Sequence, residues 1–411
     1  MIPPMPPAAA TPLPTFTPAP GAAWQVFLVF LRLGLTSFGG PIAHLGYFRA
    51  EFVDRRRWLD DARYSDIVAL CQFLPGPASS QVGIAIGMAR AGWLGSLAAW
   101  VGFTLPSAIL LIAFGYGISR FASIADSGAV HGLKVVAVAV VAQAVWGMAK
   151  SLCPDRPRAA LAIVSALLTL TLPSTLGQLG ALVACAVVGL LALEAPPAEG
   201  RALQLTQVSR TAGAFSLAAF VALLVGLLIA ARSGSALVGL IGGFFQTGAL
   251  VFGGGHVVLP LLQAVVVPTG AIDNAAFLAG YGAAQAVPGP LFTFAAYLGT
   301  VMHTPLQGWI GGLVFLLAIF APAYLLVTGT LPFWDALRRR ALVRAALMGV
   351  NAGVVGILLA ALYDPVWTSA IHSKADFGLA LVAFGLLVLG RVPPLAVVVL
   401  AAIGGAVLAG V

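Results

Sequence analysis

Charged side chains are scarce in this sequence, at 8% of its 411 residues, whereas ordinary soluble domains carry about 25%. Hydrophobic residues make up 60%, which is more apolar surface than a soluble fold can bury, so the soluble globular class is excluded. One transmembrane helix needs about 20 apolar residues. We therefore predict an all-α polytopic integral membrane protein with about 12–13 transmembrane segments.

Cysteines and catalytic signatures are also nearly absent. The three cysteines, Cys71, Cys153 and Cys185, lack metal-ligand spacing, so neither a disulfide framework nor a metal site is predicted. The sequence contains no HExxH or GxSxG motif, and its acidic residues cluster between the apolar runs. A membrane-embedded enzyme is therefore disfavoured, and no cofactor is expected. The net charge of +8 resides in short basic clusters between apolar runs, a pattern of membrane topology and not of nucleic-acid binding.

The chain divides into a tail, two repeats and a connection between them. The proline-rich residues 1–23 lack the features of a secretory signal and are expected to be disordered. The predicted units that follow are a first transporter repeat at 24–193, a polar linker at 194–213, an extra transmembrane helix at 214–231 and a second repeat at 238–411.

The duplication is visible in paired motifs. FLRLGLTSFGGP, from Phe30 to Pro41, aligns without a gap with FFQTGALVFGGG, from Phe244 to Gly255. QFLPGP, from Gln72, aligns with QAVPGP, from Gln285, and Pro106 then aligns with Pro322. Internal duplication is typical of secondary transporters, whose substrate site forms near the bilayer midplane where the repeats meet. A carrier is therefore the leading hypothesis.

The basic residues favour an inverted repeat. Five arginines lie within residues 48–63, whereas the matching stretch 263–275 has no Lys or Arg. Arginine-rich loops stay on the cytoplasmic side, so the two matching loops are expected on opposite sides, and the extra helix supplies the odd crossing. A second basic cluster, from Arg338 to Arg344, disagrees, because this arrangement places it outside.

Glycine and proline interrupt two apolar runs in each repeat, at the FGG and PGP motifs. Pro77 and Pro290 are each expected to begin a half-helix, since proline suits the first helical position. A helix N-terminus offers free amides and about half a positive charge to an anion. The alternative is that glycine and proline only permit kinks and close helix packing.

Polar side chains near these breaks complete the candidate site. Arg32 lies within an apolar run and could balance the charge of an anion, or else pair with an acid or reach the interface. Helical spacing places Thr36, Gly39 and Gly40 near its face. His256 could take up a proton or could serve only as a hydrogen-bonding residue. The same two roles are open to His44. The predicted substrate-binding residues are Arg32, Thr36, Gly39, Gly40, Gln72, Pro75, Gly76, Pro77, Gly253, Gly254, Gly255, His256, Gln285, Pro288, Gly289 and Pro290.

The order and pairing of FGG and PGP within apolar runs resemble the chromate ion transporter (CHR) family in its two-domain form. The resemblance implies a multi-pass carrier of the bacterial inner membrane that exports chromate and confers chromate resistance. The second repeat departs from the first at Gln246, in place of Arg32, and at Gly255-His256, in place of Pro41-Ile42, so two unequal half-sites are expected. A carrier for sulfate or another small oxyanion and a structural subunit remain as alternatives. Transport direction, a coupling proton or counter-anion, and a homodimer stay open.

Overall fold

The computed structural model describes residues 21–120, 127–172, 175–195, 208–252 and 255–409. Within these ranges the chain is helical and contains no strand, so the predicted all-α class is confirmed. The proline-rich tail and most of the polar linker fall outside the described residues. The helices of the first repeat are α1 (Ala22–Thr36), α2 (Gly40–Arg49), α3 (Asp61–Phe73), α4 (Ala78–Arg120), α5 (Gly128–Leu152), α6 (Arg156–Thr171) and α7 (Thr175–Ala192).

The extra helix and the helices of the second repeat come next along the chain. The helices are α8 (Arg210–Ala231), α9 (Ala236–Leu250), α10 (Val258–Val266), α11 (Asn274–Ala286), α12 (Phe294–Val301), α13 (Gly308–Thr330), α14 (Trp334–Arg338), α15 (Ala341–Ala361), α16 (Thr368–Ala370), α17 (Lys374–Val388) and α18 (Pro394–Ala409). Short π-helical turns extend α2 to Arg55 and α15 to Trp367, and single 3₁₀ turns precede α10, α12 and α14.

Five helical segments of the described chain are long and apolar enough to cross a bilayer. They are Ala78–Arg120, Gly128–Leu152, Arg210–Ala231, Gly308–Arg338 and Ala341–Ala370. Several shorter apolar helices, among them α1, α9 and α10, account for the other hydrophobic runs. The protein is therefore a multi-pass membrane protein in which long and short helices are combined.

The FGG motif of the first repeat is the tip of a helical hairpin. α1 ends at Thr36 and α2 begins at Gly40, and Gly39 and Gly40 adopt positive φ values of 96° and 77°. The rings of Phe30 and Phe48 lie 5.5 Å apart, whereas one continuous helix would separate them by about 27 Å. The chain therefore reverses at this motif. In the second repeat Gly243 of α9 likewise packs against Val265 near the end of α10.

Each PGP motif is the tip of a second hairpin. α3 ends before Pro75 and α4 begins after Pro77, and the Arg90 guanidinium then lies 5.1 Å from the ring of Trp58, which precedes α3. In the second repeat the backbone N–H of His303 donates to the carbonyl of Ala271 at 2.9 Å, closing the equivalent hairpin. Each repeat thus contains two short hairpins that return to the side from which they enter.

A buried ion pair identifies the two sides of the molecule. The Arg338 Nη1 atom lies 3.0 Å from Asp66 Oδ1, so the second basic cluster lies on the same side as the loop at 48–63. We call this side the arginine face. Both hairpins of the first repeat return to the arginine face and do not cross the membrane. Counting these broken runs as crossings wrongly places the cluster from Arg338 to Arg344 outside. Because α13 ends next to the arginine face, its start at Gly308 and the hairpin loops of the second repeat lie opposite.

Charges on the arginine face are locally paired. Arg55 and Arg56 donate hydrogen bonds to the carboxylate of Glu51, at 3.0 and 2.6 Å. Partial burial alone would raise the pKa of Glu51, but these hydrogen bonds outweigh it and lower the pKa below its ordinary value. The acid therefore stays ionised and fixes the two arginines in this loop.

The two repeats exchange their last hairpins. α5 of the first repeat packs against α17 and α18 of the second, whereas α15 of the second packs against α6 and α7 of the first. Glycines permit these close approaches, with Gly132 of α5 against Ala401 and Gly349 of α15 against Cys185. Each repeat has a hydrophobic core built mainly from its own residues, and the exchanged hairpins add close packing between the repeats.

Candidate functional site

The PGP tip of each repeat is bonded to the FGG break of the other. The N–H of Gly76 donates to the carbonyl of Val251 at 2.6 Å, and the N–H of Gly289 donates to the carbonyl of Ser37 at 2.9 Å. Ser37 and Val251 occupy equivalent positions in the aligned repeats, as do Gly76 and Gly289. The two hydrogen bonds are therefore related by the internal symmetry.

The two FGG breaks also approach each other. A Cβ atom added to Gly255 would lie 3.5 Å from Cγ of Pro41, its counterpart in the first repeat, and 3.8 Å from Cβ of Leu291. All four breaks therefore meet in one place, which we call the central junction and define as residues 37–41, 75–77, 251–252, 255 and 288–290. Two predicted site residues, Gly253 and Gly254, lie outside the described residues.

Glycine is required at both PGP tips for two separate reasons. Gly76 and Gly289 have φ values of +125° and +102°, in a region that other residues rarely adopt. A Cβ on Gly76 would also lie 2.7 Å from Gln81 Nε2, and one on Gly289 would lie 2.9 Å from Ser107 Oγ. Side chains at these positions are excluded both by the backbone conformation and by the packing.

The prolines that follow cap the next helical turns. Pro77 precedes α4, and its carbonyl accepts from the N–H of Gln81 at 2.9 Å, while Pro75 accepts from Gln81 Nε2 at 2.7 Å. Pro290 is equivalent, because both the N–H and the hydroxyl of Thr293 donate to its carbonyl. Pro288 is buried beside it. The first amides of these turns lack intrahelical acceptors and carry the positive end of the helix dipole.

The structure does not bring Arg32 and Thr36 into the junction. Both are exposed, on the face of α1 that also presents Leu28 and Leu35, and the Thr36 hydroxyl donates back to the Arg32 carbonyl at 2.9 Å. The opposite face of α1 is buried and ends at Ser37. Arg32 therefore lies near the depth of the break but points away from it.

The predicted glutamines and His256 differ in their surroundings. Gln285 has a buried Nε2 atom without a hydrogen-bond partner, whereas Gln72 is exposed. His256 Nδ1 lies 2.9 Å from the hydroxyl of Tyr281, and that hydroxyl also interacts with the Gln285 side chain. His256 is thus paired with Tyr281 in the second repeat, close to the unpartnered amide of Gln285.

Sequence reasoning missed a group of small polar side chains in the first repeat. Four buried atoms lack partners: Ser37 Oγ, His44 Nε2, Ser80 Oγ and Thr104 Oγ1. Ser37 lies within the FLRLGLTSFGGP motif and His44 was considered beside His256, but Ser80 and Thr104 lie in no aligned motif, and Ser and Thr occur in most transmembrane helices. The available signal was the alignment of the repeats, in which Val251, Val258 and Phe320 stand opposite Ser37, His44 and Thr104.

A second polar cluster lies away from the junction, on the side opposite the arginine face. His131 Nε2 of α5 is 2.7 Å from Asp376 Oδ1 of α17, beside a cleft of about 480 Å³ that Lys134 also lines. Nothing in the sequence relates these two residues, because they lie in different repeats. No three His, Cys, Asp or Glu side chains in the described ranges are arranged to hold a metal ion.

Comparison with known proteins agrees with this architecture. The chromate transporter family model matches residues 24–191 and 238–406, one match for each repeat. The chromate transport protein of Pseudomonas aeruginosa is 30% identical, over 90% of this chain and 87% of that protein. That of Cupriavidus metallidurans is 27% identical, over 87% of this chain and 85% of that protein. No solved structure matches. With both repeats matched and nearly the whole length of these relatives covered, the chain belongs to the chromate transporter family.

Proposed function

We propose that this protein exports chromate across the bacterial inner membrane and thereby confers chromate resistance. The observation that carries the proposal is the central junction, where four helix breaks of a duplicated membrane protein meet and exchange backbone hydrogen bonds. Such breaks are where carriers of this architecture hold their substrates. Membership of the chromate transporter family supplies the substrate class.

The junction provides dipoles and hydrogen-bond donors that can stabilise a bound dianion. Helix N-termini after Pro77 and Pro290 supply amides and partial positive charge, and buried hydroxyl, imidazole and amide groups supply further donors. Backbone donors do not need to be neutralised when the site is empty, unlike a buried cation. A dianion that replaces water here gains hydrogen bonds with little reorganisation of the protein.

The repeats provide a means of alternating access. Each PGP tip is held to the opposite repeat by one backbone hydrogen bond, from Gly76 or from Gly289. If the repeats rock about the junction, one contact loosens while its symmetry equivalent is kept. The hairpins of the first repeat open to the arginine face and those of the second to the other side, so each tip gates one side.

The membrane potential favours export of a dianion. Moving one elementary charge through 100 mV is worth about 2.3 kcal/mol. A dianion that leaves a cell with a negative interior therefore gains about 4.6 kcal/mol per 100 mV. Uptake of the same ion against the membrane potential would require a coupling ion to supply this free energy, whereas export does not. His256 remains the candidate for a coupling proton.

Vesicles of opposite orientation test the direction. We expect inverted membrane vesicles that contain the protein to accumulate chromate, and accumulation to rise when the lumen is made positive, with and without an imposed proton gradient. Vesicles without the protein are the control. Accumulation by right-side-out vesicles alone would show import and would contradict the proposal.

Sulfate is the main alternative substrate, because both ions are tetrahedral dianions and the junction recognises shared features of both. Competition in the same vesicles distinguishes them. We expect sulfate to inhibit chromate accumulation only when present in excess. Equal inhibition by equimolar sulfate would identify a general oxyanion carrier.

A further inference from the structure

We infer that the oxyanion is bound asymmetrically, mainly by uncharged donors of the first repeat. The donors are Ser37, His44, Ser80 and Thr104, which we call the donor cluster, and Gln285 adds one amide from the second repeat. This inference rests on the proposed function, because it assigns the substrate of that same junction to particular side chains.

The donor cluster is buried and unsatisfied. The side chains of Ser37, His44, Ser80 and Thr104 are at most 2% exposed, and one polar atom of each has no hydrogen-bond partner. Buried polar groups without partners cost free energy, and most are satisfied by protein, water or ligand. A concentration of such atoms next to helix breaks points to a bound polar species.

Contacts place Ser37 and His44 beside the PGP tip of the second repeat, and Ser80 and Thr104 directly follow two residues of these contacts, Ser79 and Phe103. His44 Nδ1 lies 3.2 Å from Ser79 Oγ, and its ring packs edge-on against Phe103 at 5.2 Å. A Cβ on Gly289 would lie 3.2 Å from the Phe103 carbonyl, and the Gly289 N–H is bonded to the Ser37 carbonyl. When the Ser79 hydroxyl donates to Nδ1, the proton of His44 resides on Nε2, which is then a donor.

The second repeat shows what packing alone requires at these positions. Ser37, His44 and Thr104 align with Val251, Val258 and Phe320, all apolar and buried. Ser80 aligns with Thr293, whose hydroxyl is already bonded to the Pro290 carbonyl at 2.7 Å. The same fold therefore accepts apolar or satisfied side chains, and the unsatisfied donors of the first repeat are not needed for folding.

The chemistry of the donor cluster suits a fully deprotonated oxyanion. Each oxygen of chromate or sulfate accepts hydrogen bonds, and hydroxyl, imidazole and amide groups donate them. Neutral donors stabilise a bound dianion without a permanent buried positive charge. A buried cation would bind the dianion so strongly that its release would be slow. Asymmetric binding also explains why the glycines and prolines of the PGP motifs match between the repeats, whereas Ser37, His44 and Thr104 have apolar counterparts.

Binding to purified protein tests this inference. Isothermal titration with chromate, and with sulfate as a probe that does not oxidise the protein, should give weaker binding by about tenfold for Ser37→Ala and for Thr104→Val. The latter change keeps the side-chain shape and removes only the hydroxyl. Ser165→Ala is the matched control, because Ser165 is equally buried but donates to the Gly353 carbonyl at 2.7 Å, in the contact between α6 and α15.

The outcomes separate the two proposals. If the parent binds chromate and both variants bind it equally well, the donor cluster holds only water and the inference is wrong. If the parent protein binds neither anion, the proposed function itself fails. Unfolding temperatures of all variants are compared, so that a weakened fold is distinguished from a weakened site, and His44→Gln provides a second test where a serine variant is unstable.

Discussion

Gly76 and Gly289 are the residues at which conformation and packing constrain the central junction most tightly. Each holds a positive φ, and a Cβ atom at either position would come within 3.1 Å of an atom of the opposite repeat, Ala323 Cβ for Gly76 and Ser107 Oγ for Gly289. Gly234 provides a comparison, because its φ of +81° is also positive but no atom lies within 4 Å of its added Cβ. The three glycines therefore separate backbone strain from the packing of the junction.

We expect Gly76→Ala and Gly289→Ala to lower chromate transport by tenfold or more, and the corresponding valine variants to abolish it. Gly234→Ala should lose at most a few-fold, since strain alone costs about 1 kcal/mol. Transport is measured in vesicles with equal amounts of protein. Full transport by both junction variants would show that the PGP motifs serve only helix packing.

Arg32 tests whether a cation is needed near the junction. Its side chain shares the exposed face of α1 with Leu28 and Leu35, so we expect Arg32→Gln to change chromate affinity by less than about twofold. The substitution mimics Gln246 of the second repeat. A tenfold loss of affinity, with partial recovery in Arg32→Lys, would instead restore the charge-balancing role that the sequence suggests.

Single residues also show what the sequence could and could not predict. The glycines and prolines were identified because their effect is local to the backbone. The depth of Arg32 followed from counting along an apolar run, but its direction did not, because almost every face of such a run is apolar. The unpaired state of Ser37 and Thr104 depends on what lies opposite them, which only the packed repeats determine.

At the level of elements, the four short hairpins decide how the chain is oriented. The hairpins of the first repeat return to the arginine face, and the ion pair between Arg338 and Asp66 fixes α14 on the same side. Apolar runs near 24–45 and 66–88 gave no sign of this reversal, since apolar residues continue on both sides of each break. Only the motifs at their tips marked the break.

Cysteine labelling tests this orientation in a variant from which Cys71, Cys153 and Cys185 have been removed and whose transport is verified. We expect cysteines at Arg56 and at Arg339 to react with an impermeant reagent from the same side, and a cysteine at Thr269 to react from the other. Labelling of positions 56 and 269 from one side would exclude the inverted repeat. Opposite labelling of 56 and 339 would exclude the hairpin arrangement.

The whole molecule is held together by the exchange of hairpins between repeats. α5 packs most extensively against α17 and α18 of the second repeat, and α15 packs against α6 and α7 of the first in the same way. The sequence revealed the duplication but not this exchange, because aligned repeats look the same whether each packs on itself or on the other. The contacts of Gly132 and Gly349 distinguish the two cases.

Expression of the chain as two fragments tests the exchange. A break introduced in the linker after Glu199 yields one fragment with the first repeat and one with α8 and the second repeat. We expect either fragment alone to be degraded, and both together to be recovered as a complex that transports chromate. A first fragment that is stable by itself would show that the exchanged contacts contribute little.

The exchanged hairpins also have a consequence for biogenesis. While the ribosome is still translating the second repeat, α5 has entered the bilayer without the helices that will cover it, and Gly132 must wait for Ala401, close to the C-terminus. The nascent chain therefore remains incompletely packed until α18 has been translated. Premature termination before α17 and α18 leaves part of α5 exposed to the membrane proteases that remove unassembled helices, so quality control can recognise truncated chains by this one helix.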